Sequence, residues 1–461
     1  MELRIAPATL TVTNLDASGA GSLLDTIAHS HGGDRIVFSG KLAGTIELDS
    51  TIDIGHRLSI IGNGQITLDG GGNTELIEID AGAVVIKRLT LANGYDTVAG
   101  GAISSAGNLT LSHCTFTDNT AGEGGAISAG GAHLSIHDCV FENNSATAEI
   151  SAGEGGAVDI AASTHAQISD SQFVANTANN RGGAIYVSAG SSSLVLKGDH
   201  FLENQVTSNY SSAGGAIYDE GGKSLLIKGS VFSGNQSTMT AGALQVGELR
   251  SLQIKSSTFT GNQEAYDGAV DIDTSSKTRE LLLTQTKING NSGAGGLVMT
   301  VDSNVTAIVA HCQVEGNTAA SAAGMDLATF GTRSKIEVIS SIIAGNLSTT
   351  GEAGGAETSD QTTKGGIFFN HCDISDNSAG SNGGGVYLNA GRLKLSNDTL
   401  HDNYAPESGG GVYLRTGVLD LADSVITDNL ADSGGGIYND GGKVKNLDSI
   451  IRQNRDGNIS P

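Results

Sequence analysis

Positive charge is scarce in this chain of 461 residues, in which 25 lysines and arginines face 49 aspartates and glutamates. The resulting net charge of −24 excludes a nucleic-acid-binding class, because such proteins need a basic footprint. It also argues against charge-driven adhesion to anionic lipid. Long apolar runs are absent too, so we predict no transmembrane segment. We expect an extracellular or bacterial cell-surface protein, with calcium as the one cofactor that so acidic a chain leaves open.

Cysteine is equally rare. All four cysteines occupy the same place in a repeat described below, and serine, threonine or aspartate takes that place elsewhere: Cys114, Cys139, Cys312 and Cys372. This substitution pattern indicates a small packing position. We therefore predict free thiols and no disulfide framework, which leaves neither a cysteine metal site nor an indication of the redox compartment.

Proline is nearly absent and glycine abundant, with 3 prolines and 67 glycines. So much glycine indicates disorder when it has no period, but here it has one. An asparagine recurs thirteen times at spacings of 25 to 32 residues, a period typical of solenoids. The asparagines are Asn119, Asn144, Asn176, Asn204, Asn235, Asn262, Asn291, Asn317, Asn346, Asn377, Asn403, Asn429 and Asn454.

The residues around each asparagine keep a fixed register. Phenylalanine or an aliphatic residue lies three positions before it, as at Phe116, and apolar pairs such as Leu109 and Leu111 lie ten and eight before. A Gly-Gly-Ala-Ile segment, first seen at residues 124–127, follows in most units. Apolar residues two apart predict strands with one buried face. We predict a coil of short parallel strands, with a phenylalanine stack and a hydrogen-bonded asparagine ladder inside.

These patterns predict an all-β fold, a single-stranded parallel β-helix with a short N-terminal capping helix. Residues 1–95 are predicted to form the cap and the first irregular coils, and residues 96–461 the regular coils of one continuous solenoid. The helix is expected between Ser22 and Ser30, where Ser22 and Asp25 form a capping box. The polar segment from Leu347 to Gly365 is predicted to be a long loop.

The repeat resembles a known family. Gly-Gly-Ala-Ile paired with Phe-x-x-Asn is similar to the repeats of chlamydial polymorphic outer-membrane proteins. Residues 11–24, Asp34 to Phe38 and Thr67 to Gly70 resemble the start of bacterial secreted right-handed β-helix proteins. The resemblance implies right-handed coiling and a role as an adhesin, autotransporter passenger or structural stalk at a bacterial surface. It extends over nearly the whole chain but includes no C-terminal autotransporter barrel.

Catalysis is the main alternative, because many parallel β-helices are polysaccharide lyases or glycoside hydrolases acting in a groove on the coil. Asp267, Asp271 and Asp273 lie close in sequence, before Lys277 and Arg279, and form the candidate metal site. Against catalysis, the polygalacturonase-like Asn-Thr-Asp and Gly-His-Gly motifs are missing, as is the tryptophan-containing strand of pectate lyases. A solvated coil edge is the structural interpretation of these aspartates, and we favour it.

A strip of tyrosines is the candidate ligand-binding site. The residue after the inward Ile or Val of each Gly-Gly-Ala-Ile segment varies, so it is expected to face outwards. Tyrosine occupies that position on successive coils: Tyr186 and Tyr218, then Tyr387, Tyr413 and Tyr438. Such a strip could hold a glycan or a host cell-surface protein, because tyrosine offers rigid area and a polar tip. Strand propensity with cross-coil stacking is the structural interpretation of the strip, and we favour it over binding. The sequence leaves the oligomeric state open.

Overall fold

The computed structural model describes residues 6–148, 153–190, 192–208, 213–302 and 304–460. It divides into two compact units, Met1–Lys223 and Ser224–Pro461. This boundary differs from the predicted division at residue 95, which stays a prediction. Each unit is a parallel β-solenoid, in which every strand pairs in parallel with the equivalent strand of the next coil.

One coil of the first unit shows the plan. Asn108–Ser112 belongs to sheet 1, Thr115–Thr117 to sheet 2 and Ile127–Ala129 to sheet 3. A two-residue strand, Thr120–Ala121, lies between the last two. Because the side chains of a strand alternate, each sheet turns one set of residues into the coil and the other outwards.

The strands of the first unit follow this plan from the first coil. Sheet 1 contains Thr9–Val12, Arg35–Phe38, Leu58–Ile61, Ala83–Lys87, Asn108–Ser112, His133–His137, His165–Ser169 and Ser193–Lys197. Sheet 2 contains Gly44–Glu47, Ile66–Asp69, Thr90–Ala92, Thr115–Thr117, Val140–Glu142, Gln172–Val174 and His200–Leu202. Sheet 3 contains Ile52–Ile54, Ile77–Ile79, Ile103–Ser105, Ile127–Ala129, Val158–Ile160, Ile185–Val187 and Ile217–Asp219. The short strands are Thr120–Ala121, Ser145–Ala146, Thr177–Ala178 and Gln205–Val206.

The second unit repeats the arrangement. Sheet 1 contains Ser224–Lys228, Ser251–Lys255, Glu280–Thr284, Thr306–Ala310, Lys335–Ile339, Gly366–Asn370, Arg392–Ser396, Val418–Ala422 and Lys443–Leu447. Sheet 2 contains Val231–Ser233, Thr258–Thr260, Lys287–Asn289, Gln313–Glu315, Ile342–Ala344, Asp373–Ser375, Thr399–His401, Val425–Thr427 and Ile450–Arg452. Sheet 3 contains Leu244–Val246, Val270–Asp273, Leu297–Val301, Met325–Thr329, Ala356–Asp360, Val386–Ala390, Val412–Leu414, Ile437–Asn439 and Ile459–Ser460. The short strands are Gln236–Ser237, Ser292–Gly293, Thr318–Ala319 and Leu347–Ser348.

The predicted N-terminal helix is present and shorter than expected, Leu23–Ala28. Ser22 is its N-cap, and the Ser22 hydroxyl accepts a hydrogen bond from the backbone N–H of Asp25 at 3.2 Å. Leu23 and Ile27 are buried and Asp25 lies in the first turn, so the capping signals identify the helix correctly.

The interior contains the two predicted columns. In the first unit the rings of Phe116, Phe141, Phe173 and Phe201 stack with centroids 4.7, 4.7 and 4.8 Å apart. The asparagines form a continuous ladder within each unit. The Asn144 side-chain amide, for example, donates to the carbonyl of Phe116 at 3.1 Å and to Asn176 Oδ1 at 2.9 Å. The backbone N–H of Asn144 donates to the same Oδ1 at 3.0 Å, so the buried amides find partners on both sides.

The prediction of a long loop between Leu347 and Gly365 is wrong. This segment contains the strand Ala356–Asp360, which pairs in register with Met325–Thr329. Its buried polar side chains are hydrogen-bonded: Asp360 accepts from the Thr329 hydroxyl at 2.8 Å and from the backbone N–H of Arg392 at 3.0 Å. Polar composition misled the prediction because a satisfied polar group is tolerated inside a coil.

The four cysteines are free and buried, as predicted. Their thiols point into the coil beside the turn between sheets 1 and 2, where Cys114 Sγ, for example, lies 3.5 Å from the carbonyl of Ile86. They are packing residues.

Candidate functional site

Asp271 of the predicted metal site and the three tyrosines predicted in the second unit belong to one column on the outer face of sheet 3. The strands of this sheet pair in register, so the residue after each inward aliphatic side chain stacks on its counterpart of the next coil. We call this set the outer column of the second unit: Gln245, Asp271, Val298, Asp326, Glu357, Tyr387, Tyr413 and Tyr438. Its first part is acidic and its last part aromatic.

The three tyrosines at the end of the column form one parallel stack. Ring centroids of Tyr387 and Tyr413 are 5.1 Å apart at an interplanar angle of 3°, and those of Tyr413 and Tyr438 are 5.4 Å apart at 15°. Tyr387 is only 6% exposed, whereas Tyr413 and Tyr438 are half-buried. The rings cover each other's faces, so the part of Tyr413 and Tyr438 that solvent reaches is mainly the ring edge. Tyr438 has an aromatic neighbour on one face only, because Ser460 pairs with it on the other side.

Charged groups surround the tyrosine stack. Arg415 Nη1 donates to Asn389 Oδ1 at 2.9 Å, next to the column. Burial, followed by the nearby Asp440 carboxylate, raises the pKa of Tyr413 to about 12, so its hydroxyl is neutral at physiological pH. Burial, with help from the Asp326 carboxylate, raises the pKa of Glu357 to about 7. The stack therefore offers neutral hydroxyls beside a carboxyl group that exchanges its proton near neutral pH.

The predicted metal residues Asp267, Asp271 and Asp273 come close enough to influence one another. Asp271 is 4% exposed and accepts a hydrogen bond from Gln245 Nε2 at 2.9 Å. Burial first, and then the Asp273 and Asp267 carboxylates, raise the pKa of Asp271 well above its usual range. Their oxygen atoms are more dispersed than a metal requires: within the described ranges, these three do not form a group whose ligand atoms all lie within 4.8 Å.

Lys277, the first basic residue after these aspartates, pairs with a different acidic side chain. Lys277 Nζ lies 3.8 Å from Glu248 Oε2, and that pair is exposed. The sequence proximity of Lys277 to the aspartates therefore reflects the loop between sheets 3 and 1 and not a shared cluster. Asp326 interacts electrostatically with Asp267: burial, together with the Asp267 carboxylate, raises the pKa of Asp326 to about 6.

The tyrosine pair of the first unit is packed more tightly than the sequence suggests. The rings of Tyr186 and Tyr218 are parallel with centroids 5.9 Å apart, and Tyr186 is only 5% exposed. The Tyr186 hydroxyl donates to Glu220 Oε2 at 2.6 Å, and the Arg181 guanidinium lies over the Tyr218 ring at 5.1 Å. The position does face out of the coil, but neighbouring side chains cover it. We therefore interpret the stacked pair of Tyr186 and Tyr218 as structural.

Beside this pair lies a charged cluster that sequence reasoning missed. Arg181 Nη1 bridges Glu154 at 3.4 Å and Glu220 at 3.2 Å. Burial raises the pKa of Glu154 to about 7, and burial with the carboxylates of Glu123 and Glu154 raises the pKa of Asp159 to about 7. The outward position of Asp159 could have been found from the sequence, because Asp159 follows an inward valine in the same repeat position as the tyrosines. The others lie on coil turns of variable length, where the repeat gives no signal.

The comparisons with known proteins agree with this architecture. Residues 54–211 match the family model described as a right handed beta helix region. The described residues of the two units form right-handed parallel β-helix coils, about 16 turns in all. The narrower resemblance to polymorphic outer-membrane protein repeats stays a prediction. No curated protein matches the sequence of this chain.

Three solved structures illustrate the range of similar folds. The periplasmic alginate epimerase AlgG is 10% identical, with 91% of this chain and 77% of that chain covered and a TM-score of 0.32. A mannuronic acid specific polysaccharide family 6 lyase from human gut microbiota is 8% identical, with 98% and 90% covered and a TM-score of 0.39. PfbA, a surface adhesin of Streptococcus pneumoniae, is 11% identical, with 95% and 93% covered and a TM-score of 0.29. Likeness at this level does not indicate a function for this chain.

Among the described residues, no helix is long and apolar enough to cross a membrane.

Proposed function

We propose that this β-helix is a glycan-binding, adhesin-like protein of the extracellular space or bacterial surface, which binds through the tyrosine end of the outer column in the second unit. The observation that carries this proposal is the stack of Tyr387, Tyr413 and Tyr438. Two of its rings, Tyr413 and Tyr438, are half-buried with centroids 5.4 Å apart, and one face of the terminal ring has no aromatic neighbour. A polymer with a regular repeat can meet equivalent groups on successive coils.

The charges around the stack narrow the ligand class. A net charge of −24 opposes the approach of a polyanion. Glu357, with a pKa of about 7, offers a carboxyl group that can both donate and accept hydrogen bonds near neutral pH. Sugar hydroxyls need both kinds of partner. We therefore propose a neutral or amino-sugar-containing glycan, with a glycosylated host or cell-surface protein as its source.

Surface display belongs to the same proposal. The resemblance to polymorphic outer-membrane protein repeats supports a passenger-like role, in which the coils carry the binding surface away from an outer membrane. A passive stalk would need no binding face, so detection of a ligand distinguishes an adhesin from a spacer.

The test is a glycan-array screen of the full chain, with and without calcium, that reads both retention and the release of reducing or unsaturated ends. Retention of neutral glycans without product is the expected result. A calcium role of Asp267, Asp271 and Asp273 would be supported if chelation abolished glycan retention and Asp273→Asn weakened retention to the same extent. Failure to retain any glycan would contradict the proposal and favour a stalk or a purely protein-directed adhesin.

A polysaccharide lyase or glycoside hydrolase is the second candidate, and a specific observation favours it. In the first unit, Asp159 lies on the outer side of sheet 3, and Glu154, on the turn before that strand, pairs with Arg181. Burial raises the pKa of both carboxyl groups to about 7. A carboxyl group that titrates near the working pH can act as general acid or base. Product release in the array screen, lost in Asp159→Asn and retained in Asp273→Asn, would place the chemistry in the first unit.

A further inference from the structure

A column of turn residues outside the candidate glycan site brings together histidine and aspartate. The turn between sheets 1 and 2 places one residue per coil in the left-handed region of backbone conformation. On three successive coils of the first unit these residues are His113, Asp138 and Asp170, with φ of 56°, 50° and 53°. His137 immediately precedes Asp138 at the end of its strand. Four side chains with metal-binding chemistry therefore leave the same edge of the coil.

Backbone hydrogen bonds fix the spacing of these turns. The N–H of His113 donates to the carbonyl of His137 at 3.1 Å, the N–H of Asp138 to that of Ser169 at 3.1 Å, and the N–H of Asp170 to that of Lys197 at 3.0 Å. The turns are thus rungs of one parallel ladder, and only side-chain torsions remain to be adjusted when a ligand arrives. Such an arrangement lowers the ordering cost of binding.

The distances between the polar atoms suit a shared cation. His137 Nε2 lies 2.9 Å from Asp138 Oδ2, and His137 Nδ1 lies 3.6 Å from Asp170 Oδ2. One ligand atom from each of these three residues lies within 4.8 Å of the others. Bonds of about 2.0–2.2 Å in a tetrahedral zinc site place neighbouring ligand atoms about 3.4 Å apart, so ligand atoms within 4.8 Å of one another need only small side-chain rotations to share a cation through one nitrogen of His137.

His113 supports the group from the preceding coil. Its Nε2 lies 3.4 Å from Asp138 Oδ2, the oxygen that also faces His137. Residues that hydrogen-bond a liganding carboxylate orient it and tune its affinity for the metal. His113 is thus a positioning residue.

We propose that His137, Asp138 and Asp170 form a binding site for a borderline divalent cation, with Zn²⁺ as the best match. An imidazole together with carboxylates suits zinc and neighbouring first-row metals, whereas calcium prefers six or more oxygen ligands. The side chains of His137, Asp138 and Asp170 are 49%, 40% and 60% exposed, so water completes the coordination and competes for the metal. The site belongs to the first unit and shares no residue with the proposed glycan site, so the two proposals are independent.

The test uses the full chain, freed of metal by chelation and titrated with Zn²⁺ by calorimetry, with visible absorption of bound Co²⁺ as a spectroscopic readout of the ligand set. We expect one equivalent of Zn²⁺ per chain and no comparable binding of Ca²⁺. His137→Ala removes the binding and the Co²⁺ spectrum, and His113→Ala weakens the affinity by about 10–100-fold.

A matched control separates this site from nonspecific histidine binding. His133 and His165 have ring centroids 5.8 Å apart on neighbouring strands of sheet 1, so the double variant His133→Ala/His165→Ala removes two histidines without changing the proposed ligands. It should keep the full affinity. The proposal is overturned if the wild-type chain binds no Zn²⁺, if the control variant loses as much affinity as His137→Ala, or if Ca²⁺ binds as well as Zn²⁺. Circular dichroism and thermal melting check that each variant remains folded.

Discussion

Removing one side-chain amide from the asparagine ladder of the second unit is predicted to lower the free energy of unfolding by more than the loss of any single surface contact would. Asn317 is fully buried, and its Oδ1 accepts two hydrogen bonds from Asn291, one from the backbone N–H at 3.0 Å and one from the side-chain amide at 2.9 Å. Its own amide donates to the carbonyl of Ile288 at 2.9 Å and to Asn346 Oδ1 at 3.0 Å. Asn317→Ala removes all four bonds at once.

The magnitude follows from the groups that lose their partners. Two donors of Asn291, the backbone N–H and one side-chain N–H, remain buried without an acceptor. Each such group costs about 1–3 kcal/mol, so the variant is expected to lose about 2–6 kcal/mol of unfolding free energy. The small cavity left by the side chain adds to this loss.

The assay is local as well as global, because a solenoid can open over a few coils without unfolding completely. Hydrogen–deuterium exchange of peptides that contain Asn291 should speed up strongly, and the denaturation midpoint should fall. Asn454→Ala is the matched control. Asn454 is half-buried at the last coil, where water can replace its bonds, so it should cost about 1 kcal/mol or less. Equal effects of the two variants, or unchanged exchange at Asn291, would refute the reasoning.

Two further predictions test the interior. Phe141→Ala should cost about 3–5 kcal/mol of unfolding free energy, because the Phe141 ring lies between two stacked rings whose centroids are 4.7 Å away on both sides. Phe141→Leu should cost clearly less. Similar denaturation midpoints for the two variants would mean that the stack is not tightly packed. Burial raises the pKa of Glu264 to about 9, so the folded state retains a proton that the unfolded state releases near pH 4.5, and stability should fall as pH rises between these values. Glu264→Gln should flatten this fall when denaturation midpoints are compared at pH 5, 7 and 9, and curves that stay parallel to the wild type would contradict the assignment.

The repeat predicted the features that depend on position within a coil. The asparagine at Asn144 and the ring at Phe141 are where the period places them, because stacking in register repeats the same environment on every coil. The position of Asp271 on the tyrosine column was implied by the same register. What the period could not reveal is what covers a given outward side chain.

Side chains from the variable turns decide that question. Tyr186 and Tyr413 occupy equivalent outward positions, yet Tyr186 is only 5% exposed and its hydroxyl donates to Glu220, while Tyr413 stays half-buried. The strand Ala356–Asp360 shows that the sequence pattern also fails to reveal which polar side chains are buried. Its inward polar residues resembled a loop, and only their hydrogen bonds show that they are packed inside a coil.

The central claim is that the outer column of the second unit binds a glycan through its tyrosines. The most direct measurement is the calorimetric affinity of an array-selected glycan for the wild-type chain and for Tyr413→Ala/Tyr438→Ala, with Tyr95→Ala as a control, because Tyr95 is 39% exposed and lies in the first unit. We predict at least a tenfold loss of affinity, about 1.4 kcal/mol, in the double variant, with no loss in the control. Unchanged affinity in a correctly folded double variant would contradict the claim and make the strip a purely structural stack.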